Sequence, residues 1–143
     1  MKLSIVNYKL SIKKVHKEFL VTAFLFGALS VMLGAFAAHS LKTIVSADDL
    51  AIFETGVRYQ YYHTFALLAT GILYKEFPNK FLSWAGYMFC VGILFFCGSL
   101  YFLTYFMGEV QPSFKWLFLI TPLGGLCFIT GWLLLAIGIV KKN

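Results

Sequence analysis

The residues best able to do chemistry fall in two short stretches: His39, and then Glu54, Arg58, Tyr59, Gln60 and His63. Two imidazoles at one membrane boundary can ligate haem or a metal ion, or pass a proton. Thr55, Tyr59 and His63 step by four and would share one face of a helix, with Arg58 and Gln60 close by. An ionisable side chain inside an apolar run points to a functional site. The structural alternative is interhelical hydrogen bonding by His63 to a Tyr or Thr, with Arg58 reaching to the surface. Two histidines without a third ligand specify no metal. No cofactor is therefore expected. Haem or a metal on His39 and His63, in a redox or proton-handling component, stands as the alternative. The chain carries no phosphate-binding glycine loop, no HExxH zinc motif and no nucleophile elbow, so no residue is assigned a catalytic role.

The elements that must position these residues belong in lipid. Of the 143 residues, 60% are hydrophobic and 13% charged, with 16 Phe, 8 Tyr and 3 Trp. A soluble domain carries about 25% charged residues. This composition excludes a disordered chain, a nucleic-acid reader and an ordinary soluble enzyme. Uncharged runs occupy 19–41, 59–74, 81–108 and 116–140. A hydrocarbon core of about 30 Å takes about 20 helical residues. The second run is short and borrows residues from about 55 onward. The expected fold is an all-α integral membrane four-helix bundle. A basic cytoplasmic tail over 1–18 precedes a membrane domain over 19–143, with spans near 19–41, 55–74, 81–108 and 116–140.

Charge sets the orientation. With the N-terminus inside, the inner segments hold nine Lys and Arg and the outer loops three, so both termini are expected on the cytoplasmic side. The net charge of +6 divides into +7 inside and −1 outside. The expected partners are the bilayer itself, anionic lipids at the cytoplasmic face, and a second copy or another membrane protein; nucleic acid is not expected. Five Lys ahead of an apolar run, with Ala35-Phe36-Ala37 behind it, imitate a cleavable signal peptide. A run of about 20 residues exceeds the usual 7–15 of a signal core, so the segment is expected to stay as a span. Cys90, Cys97 and Cys127 lie inside apolar runs with no C-x-x-C spacing and read as small buried hydrophobes.

The loops are short. Pro78-Asn79 turns the inner hairpin and Pro112 lies in the third loop. The first loop has a helix start at Ser46 and Asp49, with Leu50, Phe53 and Val57 on one face. This predicts a short amphipathic helix that lies on the membrane or runs into the second span, with Gly56 as the bend if there is one. Glu54 precedes Arg58 by four residues, the favourable order for an ion pair.

Small residues recur at seven-residue steps: Gly27 and Gly34; Thr64 and Gly71; Ala85, Gly92 and Ser99; Gly124, Gly131 and Gly138. Such stripes let helix backbones approach closely and suit left-handed packing. Trp84, Trp116 and the Tyr59, Tyr61, Tyr62 cluster read as interface anchors. Tyr101 and Tyr105, four apart, can face the same polar region as His63. Pro122 predicts a kink in the last span, or a helix start capped by Thr121.

Four ordered blocks carry a family resemblance. Residues 34–41, GAFAAHSL, resemble the first signature of domain of unknown function 423. The stretch 53–60, FETGVRYQ, leading to His63, is similar to its second block. Residues 98–101, GSLY, are similar to its third, and 121–125, TPLGG, followed by Gly131-Trp132, to its fourth. Ala37 stands where the family usually has Gly, and the basic tail is longer. The resemblance implies a four-span inner-membrane protein and no reaction. It also places His39, Glu54, Arg58, Tyr59, Gln60 and His63 in family blocks. The expected function is a non-enzymatic accessory, small-ligand-binding or permeation element with a polar site near the outer face.

Overall fold

The computed structural model describes residues 15–106 and 117–141, and these form helices and turns with no strand among them. Helix α1 spans Lys17–His39 and α2 spans Ala47–Leu73. Helix α3 (Lys80–Gly92) passes through one wide π turn (Ile93–Cys97) into α4 (Gly98–Phe106), so the two form one rod. Helix α5 spans Leu117–Val140. Three stretches are long and apolar enough to cross a membrane: Lys17–Thr43, Lys80–Tyr105 and Leu119–Val140. The tail before residue 15, the third loop with Pro112, and Trp116 lie outside the described residues.

Local chemistry sets the helix ends. The Ser46 hydroxyl oxygen accepts the Asp49 amide at 3.1 Å and donates its proton to the Asp49 carboxylate at 2.6 Å. This cap starts α2 at Ala47, and the helix then continues through Gly56 to Leu73. The segment from Ala47 is therefore the first part of α2 and not a separate loop helix. The first loop itself holds one short turn, Leu41–Thr43. Gly56 is no bend: it is buried, and a Cβ there would meet the Tyr101 ring at 2.7 Å. Asn79 caps α3, its Oδ1 accepting the amides of Phe81 and Leu82 at 3.0 and 3.2 Å. Its Nδ2 donates to the Gly138 carbonyl at 2.8 Å and fastens the hairpin to the end of α5. The His16 amide donates to the Gly71 carbonyl at 3.1 Å, tying the start of α1 to the end of α2.

Helix α2 packs against α1 on one side and against α3 and α4 on another, while α5 packs along α3 and the π turn. The main core holds Phe19, Leu67, Leu82, Phe89, Cys97 and Phe128. A second cluster at the other end joins Ala37, Leu41, Phe53 and Val57. The glycine stripe of α5 is filled from within. Phe89 lies over Gly131, Leu82 over Gly138, and the Phe96 backbone against Gly124; Phe128 from α5 lies over Gly92 in return. These are close approaches that any Cβ would block. Apolar side chains such as Leu25, Leu119 and Leu133 cover the outside, the surface a lipid solvent requires. The three cysteines are free, with Cys97 fully buried.

Candidate functional site on the central helix

The polar residues of α2 divide between two flanks. Gln60, one turn before Thr64, faces α1 and α4. It is 1% exposed and uses its amide in both directions. Its Nε2 donates to the Phe26 carbonyl of α1 at 3.1 Å, and its Oε1 accepts the Tyr101 hydroxyl of α4 at 3.0 Å. The Phe26 carbonyl also accepts the Ser30 hydroxyl at 2.8 Å. A buried amide in lipid is tolerated when its donor and acceptor are both used, and here both are. Tyr105 does not follow Tyr101 inward; it is 82% exposed.

Tyr59 and His63 face α3, the π turn and α5. The His63 ring stacks on Phe128 with centroids 3.4 Å apart and planes 9° from parallel. Phe89 and Trp132 lie at 6.0 and 6.3 Å. Tyr59 stacks on Phe96 at 4.7 Å, and Phe96 reaches Phe128 at 5.6 Å. His63 Nδ1 meets the Tyr59 carbonyl at 2.8 Å. A carbonyl only accepts, so Nδ1 carries the hydrogen. In the neutral ring Nε2 is then a lone-pair acceptor, and no described residue donates to it.

Two irregularities build this aromatic cluster. The π turn carries Phe96 toward Tyr59, and Gly124 admits the Phe96 backbone. Such single π turns interrupt α-helices at functional sites. On the facing helix Pro122 lies inside α5, which continues through it. The adjoining Thr121 pairs with Ser99 at 2.7 Å. Ser99 gives its single proton to the Phe96 carbonyl at 2.9 Å, so Thr121 is the donor to Ser99. Sequence reading missed Phe89, Phe96 and Phe128 as site residues. Their aromatic type looks like ordinary span filling, and only Gly92 and Gly124 hinted that something large sits opposite.

The remaining residues stand apart. Glu54 and Arg58 are exposed, and no ion pair joins them among the described residues. Arg58 instead donates to the Thr55 hydroxyl at 3.1 Å. An exposed pair gains only about 0–1 kcal/mol, so little is lost when Arg58 turns to Thr55 instead. His39 ends α1, exposed, where a ring that can carry positive charge suits the helix dipole. Gly34 lies against Val57 and Gly27 against Thr64, an antiparallel register that sets Ala28 level with His63. His39 is then about 16 Å away along the axis at 1.5 Å per residue, too far to ligate one ion with His63. Among the described residues no group of three or more His, Cys, Asp or Glu is placed to hold a metal.

With this geometry in place, similarity to known proteins adds the lineage. The family described as "Protein of unknown function (DUF423)" matches residues 33–125. A UPF0382 membrane protein of Haemophilus influenzae is 40% identical over 88% of this chain and 96% of its own length. One from Staphylococcus saprophyticus is 38% identical over 87% of this chain and 98% of its own. The inner membrane protein YgdD of Escherichia coli K12, also named UPF0382, is 32% identical over 85% and 88%. No solved structure matches the chain. The four sequence blocks, the apolar helices and these relatives agree: the chain is a membrane protein and belongs to the DUF423 family of UPF0382 membrane proteins.

Proposed function

We propose that the chain is a non-enzymatic inner-membrane protein of four spans that binds a small ligand beside His63. Helix α2 is the fourth span. Its 27 residues are ample to cross; Gln60, His63, Thr64 and Thr70 are turned into the bundle, while Glu54 and Arg58 are exposed in its first half. The Lys and Arg bias puts both termini in the cytoplasm. The inner membrane follows the printed name of YgdD. At the cytoplasmic end, Lys80 and Lys141 lie 5.6 and 5.1 Å from the Phe81 ring centre, a basic surface suited to anionic lipid heads. The small-residue stripe of α5 is occupied by its own chain, which favours a single-copy bundle over a dimer through that face.

One observation carries the ligand reading: His63 as a whole is 6% exposed, and its Nε2, which is not among the fully enclosed unpaired atoms, has no donor among the described residues. An acceptor left unpaired in a low-dielectric setting is costly, and a ligand donor would offset that cost. Native mass spectrometry of the detergent-extracted protein tests this. The wild type should carry an added small-molecule mass that His63→Phe reduces. A wild-type protein that flies bare under gentle activation sinks the reading. For topology, a C-terminal fluorescent-protein fusion should glow and a C-terminal alkaline phosphatase fusion should stay inactive.

A further inference from the structure

We infer that the His63 acceptor takes a hydroxyl carried on a flat, membrane-soluble ring, of the phenol or hydroquinone class. This rests on the ligand-site reading above. Three observations lead to it. First, Nδ1–H is committed to the Tyr59 carbonyl, so the free nitrogen can only accept. A partner must bring O–H or N–H; an anion or a bare carbonyl would meet a lone pair. Second, the surroundings are aromatic. Phe128 and Phe89 wall the inner side, while Tyr59 and Trp132, 39% and 48% exposed, flank the side open to lipid. A ring entering from lipid finds faces and edges to pack against.

Third, depth separates the sources of a hydroxyl. His63 stands level with Ala28, near the middle of the membrane-capable stretch Lys17–Thr43, so its acceptor lies more than about 15 Å from either end of that stretch at 1.5 Å per residue. Glycerol and sugar hydroxyls of lipid heads are held at the interface by their own hydration. A phenolic ring with an apolar body partitions to that depth and can present its O–H there. Tyr59 and Trp132 are part-exposed on the outside of the bundle, so a ring that reaches Nε2 along them comes from the acyl chains and needs no aqueous path.

The test uses the full chain in nanodiscs under nitrogen, with tetramethylhydroquinone and its dimethyl ether as probes. Quenching of tryptophan fluorescence reads binding. The hydroquinone should bind saturably. His63→Phe, which keeps the stack on Phe128 and removes the acceptor, should weaken it roughly tenfold, the worth of one hydrogen bond. The ether, with no O–H, should bind wild type and variant alike and more weakly than the hydroquinone binds wild type. Equal hydroquinone binding by wild type and variant overturns the inference, as does an ether that binds as well as the hydroquinone. A second measurement needs no variant. The 15N resonance of His63 Nε2 should shift when the hydroquinone is added and stay put with the ether; no shift with either overturns the proposal. If mass spectrometry instead finds a non-aromatic lipid that His63→Phe releases, the ring class falls while the ligand site stands.

Discussion

Tyr101 and Gln60, 41 positions apart, meet in a 3.0 Å hydrogen bond that completes a buried link from α4 through α2 to the Phe26 carbonyl of α1. One amide side chain thus ties three helices inside the bundle.

That link predicts unequal costs. Gln60→Ala should destabilise by about 1–3 kcal/mol, because it orphans the half-buried Tyr101 hydroxyl and removes a donor from Phe26. Tyr101→Phe should cost nearer 0.6 kcal/mol, a typical value for one hydrogen bond within a membrane. Unfolding in mixed detergent and dodecyl sulfate micelles measures both. The double variant should cost less than the two single variants together, since the same bond is lost in each. Strict additivity would show that the two side chains do not act as a pair.

Two glycines make a matched contrast. A Cβ on Gly124 would run into the Phe96 backbone, which cannot rotate away, whereas Gly98 has nothing within 4 Å of that position. Gly124→Ala should therefore cost about 1–3 kcal/mol by overpacking. Gly98→Ala should be neutral or stabilising by up to about 1 kcal/mol, from helix propensity alone. Melting of the purified proteins in detergent reads the difference, and similar behaviour at both positions would contradict the packing described.

Asn79 does two jobs that substitutions separate. Asn79→Asp keeps the oxygen that caps α3 and loses the Nδ2 donor to Gly138. Asn79→Ala loses both. Alanine should cost about 0.5–2 kcal/mol for the cap plus the lost bridge, and aspartate distinctly less. Hydrogen exchange should show the end of α5 loosened in both variants and the first turn of α3 only in the alanine one.

Glu54 and Arg58 should be nearly silent for stability. Each is exposed, and Arg58 has a neutral partner in Thr55. Glu54→Ala and Arg58→Ala should each fall within about 0.5 kcal/mol of wild type, with no coupling between them. A larger loss in dodecyl sulfate unfolding would place a partner on these side chains beyond those described.

Composition and order alone determine that this chain is helical and lives in a membrane, because a lipid solvent accepts long apolar runs only as helices. The inner hairpin at Asn79 and the cap at Ser46 were legible because short-range rules act there; of the three cysteines expected to be buried, Cys97 is, and Cys90 and Cys127 are half-buried. Gln60 and His63 stood out as candidates, since polar groups deep in such runs are costly enough to need a partner. The partners were not legible. Gln60 and His63 are three residues apart, yet the helical twist sends one to Phe26 and Tyr101 and the other to Phe128. His39 is expected at the same membrane face as His63, but the α1–α2 register carries it about 16 Å away. The π turn that delivers Phe96 to Tyr59 leaves no periodic mark in a run that is apolar all round. When every face of a helix is apolar, hydropathy says that it spans but not which face meets which neighbour. Close packing through Gly92, Gly124 and Gly131 makes that choice, and it is made only when the helices come together.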